Sequence, residues 1–128
     1  MPYSTREMGL EVAIDSVLAG IAADDFASAL IWYERLLGRR ADAAPMEGLA
    51  EWHFSEYGGI QLIHDEDRAG SSRVTLMVTN LDDRLAALRA AAIPVGPTQG
   101  TPGLAKVATV TDAEGNRITF AEDLTDKS

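Results

Sequence analysis

From Ser16 onward the chain alternates short apolar runs with longer amphipathic stretches, and it does so twice. "SVLAGIAADDFASALIWYERLLG", from Ser16, opens with an apolar segment over Val17 to Ala23. The spacing then becomes helical: Phe26, Leu30, Tyr33 and Leu37 fall at i, i+4, i+7 and i+11. "SRVTLMVTNLDDRLAALRAAAI", from Ser72, repeats the design about 55 residues later, with Val74 to Val78 as its apolar opening. Leu81, Leu85, Leu88 and Ala92 take the same helical offsets. Asp25 and Asn80 precede the two helices, each with a short side chain able to accept from the free N–H groups of a first turn. Gly38 ends the first helix and the Pro94 loop ends the second.

The repeat continues beyond the helices. "LAEWHFSEYGGIQLIHDED" (49 to 67) and "LAKVATVTDAEGNRITFAED" (104 to 123) both predict strand, turn, strand, with Gly59 matched to Gly115. A further short strand is expected after each helix, over Arg39 to Ala43 and over Ile93 to Val95. Each half is then a βαβββ module, about 16–67 and about 72–123, within a single domain spanning 1–128. One such module has a sheet with a helix on one face and nothing on the other. Two modules close their bare faces around a cavity, which predicts an α+β fold of curved mixed sheets. The "PVGPTQGTPG" segment, Pro94 to Gly103, reads as a surface loop, either at the mouth of that cavity or as a plain connector.

Composition narrows the partners. Net charge is −9 with a sequence pI of about 4.5. A negative surface repels nucleic acid and anionic membranes, and it suits a cationic ligand or simply solubility. The absence of cysteine excludes disulfides, thiolate nucleophiles and cysteine metal sites. No apolar run approaches the roughly 20 residues of a membrane span, and the N-terminus lacks a signal-peptide pattern, so a cytoplasmic location is expected.

"DFASALIWYERLLG", "AEWHFSEYGGIQLI" and "DAEGNRITF" together give the chain a likeness. It resembles the vicinal oxygen chelate superfamily, the group of glyoxalases, bleomycin-resistance proteins and extradiol dioxygenases. The resemblance spans about residues 16 to 123, with Ala113 standing where members commonly carry Pro. It implies two βαβββ modules, strongly curved sheets and a homodimer. Its enzymes hold one divalent metal through His, Glu or Gln from four strands, which polarises two oxygens of the substrate. Carried onto this chain, the first-strand places fall at about Leu18 and Arg73, and the last-strand places at about Ile63 and Thr119. Leu and Ile have no donor, Arg stays protonated, and Thr is a poor lone ligand. A one-residue shift brings in only Gln61 or His64. The resemblance is therefore closest to metal-free, bleomycin-resistance-like members that sequester a small organic molecule. No cofactor and no metal site is expected, and no nucleic acid or membrane partner. A metal-dependent or metal-independent enzyme (lyase, isomerase or dioxygenase) is the alternative.

Strand alternation nominates the ligand-binding residues. If Trp52 and Phe54 pack against a helix, then Glu51, His53 and Ser55 face the cavity, and a neutral His53 can hydrogen-bond a ligand or exchange a proton. With the opposite parity Trp52 lines the pocket as a stacking surface. Arg73, Thr75 and Met77 lie opposite the apolar Val74, Leu76 and Val78, so Arg73 faces the cavity and can clamp a carboxylate or phosphate; a salt bridge to an acidic neighbour is the other reading. Gln61, Ile63 and Thr119 complete the set. "HDEDR", 64 to 68, reads as a solvated turn, and no G-x-S-x-G, Walker A or Rossmann motif occurs.

Overall fold

The structure, a computed structural model, describes residues 12–125. The first module comprises β1 (Val17–Ala23), α1 (Phe26–Leu37), β2 (Ala43–Met46), β3 (Leu49–Ser55) and β4 (Gly58–His64). The second comprises β5 (Arg73–Met77), α2 (Leu81–Ala90), β6 (Gln99–Thr101), β7 (Ala105–Thr111) and β8 (Arg117–Asp123). Each forms a four-stranded mixed sheet, in order β1-β4-β3-β2 and β5-β8-β7-β6, with the first pair parallel and the rest antiparallel. The expected α+β architecture of two βαβββ units is present, and the sheets do not close into a barrel.

Alternation along the strands separates the two faces. Ile21, Ala23, Ala50, Trp52, Ile60 and Leu62 of the first sheet are buried, as are Val74, Ala108, Val110, Ile118 and Phe120 of the second. They join Tyr33 and Leu36 of α1 and Leu81, Leu85 and Leu88 of α2 in one contiguous core. The opposite face of each sheet carries no helix. Burying side chains of this size stabilises by about 1.5–3 kcal/mol each, which is why the parity of the strands is not negotiable.

The helix ends follow local chemistry with one exception. The Asp25 carboxylate accepts from the Ser28 N–H at 3.1 Å, and Gly38 closes α1 with φ 73. Asn80 adopts left-handed φ 55 and caps nothing with its side chain. The first N–H of α2, from Leu81, is met instead by Glu122 of β8 at 3.0 Å. Ala92 lies beyond α2, at φ 60, rather than on its apolar face.

The short strands sit later than their expected places. In the first module β2 begins at Ala43, where the expected strand ends. Arg39 is taken up in closing the loop: its carbonyl accepts from Trp52 Nε1 (3.2 Å) and its guanidinium donates to Asp42 (3.0 Å) and to the His53 carbonyl (2.7 Å). In the second module Ile93 is buried but lies in no strand, its N–H donating to the Leu88 carbonyl at 3.0 Å, and the edge strand is Gln99–Thr101. Pro94 and Pro97 lack the N–H that a ladder there requires. Gly59 and Gly115 are not equivalent either. Gly115 sits in a turn at φ 107, whereas Gly59 lies within β4, where an added Cβ would fall 2.1 Å from the Trp52 carbonyl oxygen.

The modules are stapled by the turn Asp112–Asn116. Asn116 is fully buried: its Oδ1 accepts from the Gly70 and Ser72 N–H groups (3.0 and 2.9 Å), and its Nδ2 donates to the Ala22 carbonyl and to Asp112 (both 2.8 Å). Asp112 also accepts from the Tyr33 hydroxyl at 2.7 Å. Glu114 accepts from the N–H groups of Asp24 and Asp25 (2.7 and 3.0 Å), placing a carboxylate at the positive end of α1. Burial and the adjacent Asp112 carboxylate push the Tyr33 hydroxyl far above its ordinary pKa, so it stays a donor.

Candidate functional site

The open face of the second sheet is polar and cationic. β5 and β8 run parallel with Arg73 opposite Arg117 and Thr75 opposite Thr119. β7 adds Thr111 beside Arg117 and Thr109 beside Thr119. These six side chains line a cavity of about 390 Å³. Thr109 and Thr119 share a hydrogen bond of 2.9 Å between their hydroxyls. Neither arginine side chain makes a hydrogen bond or ion pair among the described residues. The salt bridge that was the other reading of Arg73 is therefore not formed.

The open face of the first sheet is built differently. The equivalent rungs pair His53 with Gly59 and Glu51 with Gln61. Glu51 accepts from Gln61 Nε2 at 2.8 Å and meets His53 Nε2 at 3.0 Å. These two hydrogen bonds, Gln61 foremost, hold the Glu51 carboxyl below its ordinary 4.5. The His53 ring is about half exposed, at 48%. Gln61 and Ile63 also line a cavity of about 520 Å³ with Leu49, Glu47 and His64.

A third, larger space of about 960 Å³ lies between the modules. Val17 of β1, Phe54 and Gly59 of the first hairpin, and Thr75, Leu76 and Met77 of β5 form part of its walls, with Arg39, Arg84 and Asp123 as charged groups. Val17, Phe54 and Met77 are 66%, 47% and 67% exposed, an apolar lining open to solvent. Thr75 belongs to both this groove and the arginine cavity, so the two are continuous.

The structure thus brings Arg73, Thr75 and Thr119 into one cavity and joins His53 to Gln61 through Glu51. Ile63 lies one rung beyond Gln61, in register with Leu49 and Ala22, so it is not the counterpart of Thr119; Gln61 is. Trp52 is a correction. It is fully buried on the helix side with its indole N–H committed to Arg39, and offers no stacking surface to a ligand. Arg117, Thr109 and Thr111 were missed as site residues. The period-2 pattern of "RITFA" already put Arg117 on the face of Thr119, but only the β5–β8 register shows it beside Arg73.

No family model and no curated protein sequence matches the chain. Solved structures do. A glyoxalase/bleomycin resistance protein from Catenulispora acidiphila superposes with TM-score 0.79 at 28% identity, over 86% of this chain and 98% of the other. The chain has the fold of the vicinal oxygen chelate superfamily. A bleomycin-binding protein complexed with bleomycin matches with TM-score 0.70 at 14% identity, over 85% of this chain and 98% of the other. A lactoylglutathione lyase from Agrobacterium tumefaciens matches with TM-score 0.70 at 16% identity, over 88% and 94%. Likeness at these last identities concerns the fold alone.

The metal that enzymes of this fold use finds no fitting donor set here. In the structure the repeated strand places hold Leu18, Arg73, Gln61 and Thr119, of which Gln61 alone is a usual donor and is bonded to Glu51, and among the described residues no three His, Asp or Glu side chains converge. Glu51 and His53 bond to each other and lack a third such partner.

Proposed function

We propose that this protein binds a small organic molecule on the open faces of its sheets and in the groove between its modules, without a catalytic metal. The observation that carries this reading is the groove itself: about 960 Å³ of largely apolar wall, continuous through Thr75 with a polar cavity. Apolar walls with a few convergent polar groups are the usual make-up of a ligand site. The bleomycin-binding neighbour shows the fold in a binding role. Affinity alone is the mechanism, with the apolar walls supplying burial and Arg73, Thr75, Thr119, Gln61 and His53 orienting the ligand. The chain's net charge of −9 is the argument for a cationic ligand; the two free arginines on the open face argue against one on that side. A homodimer, with a second copy covering the helix-free face, and a cytoplasmic location belong to the same reading.

A thermal-shift screen of small aromatic and charged molecules tests it. Saturable stabilisation by at least one class is expected; none across a broad library counts against a binding role. Metal analysis after dialysis is the companion test, since a stoichiometric divalent ion would contradict the donor-set reading.

One observation favours an enzyme instead. His53, Glu51 and Gln61 form a hydrogen-bonded relay with a half-exposed imidazole at its end, an arrangement suited to acid–base work. Turnover abolished by His53→Gln, with ligand affinity retained, would establish that reading.

A further inference from the structure

Arg73 and Arg117 are the least expected feature of the open face. They are direct partners on adjacent strands, both exposed, in a chain that has 20 acids against 11 bases. Like charges opposite each other on a sheet repel. Arg39, Arg68, Lys106 and Arg35 have acceptors in Asp42, Asp65, Asp82 and the Ala91 carbonyl, while Arg40, Arg84 and Arg89 have none among the described residues; what sets Arg73 and Arg117 apart is that they stand side by side in one cavity. No carboxylate lines the cavity that holds the arginine pair; its remaining polar walls are the hydroxyls of Thr75, Thr109, Thr111 and Thr119. Guanidinium forks backed by hydroxyl donors match the planar or tetrahedral oxygens of an oxyanion.

We infer that this cavity takes the anionic head group of the ligand, a carboxylate or a phosphoryl-type group, between Arg73 and Arg117. The inference rests on the small-molecule reading above and adds the ligand's class. The head binds the guanidinium pair, with the Thr111 and Thr119 hydroxyls as further donors. The body runs along β5 past Thr75 toward Met77 and Phe54, about 13 Å of strand at the usual rise per residue. The ligand is accordingly an amphipathic anion: an apolar or aromatic body with an acid at one end. Binding relieves the repulsion between the arginines, and this makes the site selective for anions over neutral and cationic analogues.

The test uses one naphthalene ring carrying a carboxylate, a phosphonate, a carboxamide or a methylammonium group, titrated into the protein by calorimetry and thermal shift. The carboxylate or the phosphonate binds, and whichever is tighter names the head group. The amide and the ammonium compounds bind at least roughly tenfold more weakly, the scale of one lost charge-assisted hydrogen bond. Arg73→Gln and Arg117→Gln each weaken the anion by a similar factor, and added salt weakens it further. Both variants keep or raise the thermal midpoint of the unliganded protein, whereas a merely structural arginine would lower it. Equal binding of all four compounds, or anion binding indifferent to both substitutions, overturns the inference while leaving the small-molecule reading intact. Binding by neither the carboxylate nor the phosphonate overturns the inference, and an empty broader screen beside it overturns the small-molecule reading as well.

Discussion

At the residue scale, polar side chains divide into those committed to structure and those without a partner among the described residues. Asp25, Asp112, Glu114 and Asn116 are all committed to backbone or core partners. Arg73 and Arg117 are not. Asp25→Ala removes the α1 cap and is expected to cost about 1 kcal/mol in urea denaturation, the usual scale for such a cap. Glu51 lies between the classes. Its carboxyl is held below 4.5 by Gln61 and His53, so as pH falls the unfolded chain takes up the proton before the folded one does. Its contribution to stability is complete above 4.5 and is lost as pH drops through the depressed folded value. Gln61→Leu should move the Glu51 titration upward toward its ordinary value, read by NMR of the side-chain carboxyl; an unmoved titration would place the cause elsewhere.

At the element scale, the strands show where sequence was sufficient. Period-2 alternation gave the correct face for Arg73, Thr75 and Thr119, because Val74, Leu76, Ile118 and Phe120 left one apolar side to bury. It could not decide between Trp52 and His53, since "EWHFSE" has an aromatic on one parity and flanking polar groups that fit a turn as well as a face. Packing decided it: only the helix side has room for a fully buried indole. Trp52→Ala should therefore destabilise by about 3–5 kcal/mol, as loss of a core aromatic does, and leave the open face unaltered apart from Arg39. The edge strands were misplaced for a different reason. Their positions depend on proline exclusion and on where the preceding loop can close, and neither leaves a periodic trace. Asn80 looked like a cap by residue type, but Glu122, far away in sequence, supplies the acceptor.

At the scale of the whole molecule, the two modules repeat in topology and differ in chemistry. In the hairpin of the second module Asp112 and Asn116 are buried and bonded to β1, α1 and the segment between modules; that of the first leaves Phe54 and Tyr57 exposed. The repeat was legible because the helices and strands recur at a near-constant offset. The site was only partly legible, because Arg73 and Arg117 are 44 residues apart and meet only through the parallel β5–β8 pairing. Asn116→Ala should show how far the staple holds the modules together. It leaves three partly buried backbone groups, of Ala22, Gly70 and Ser72, without their partner and is expected to cost about 3 kcal/mol in thermal or chemical unfolding. A loss confined to the second module's protection in hydrogen exchange would instead mean that the modules unfold separately.

We propose above all that the helix-free faces and the groove between the modules hold a small organic ligand. Backbone amide NMR of the labelled protein, titrated with the tightest compound from the thermal-shift screen, tests it most directly. Shifts concentrated at Arg73, Thr75, Met77, Arg117 and Thr119 and at Phe54 to Gly59 are the predicted result. Shifts confined to the outer surfaces of the two helices, with those residues unmoved, would contradict it.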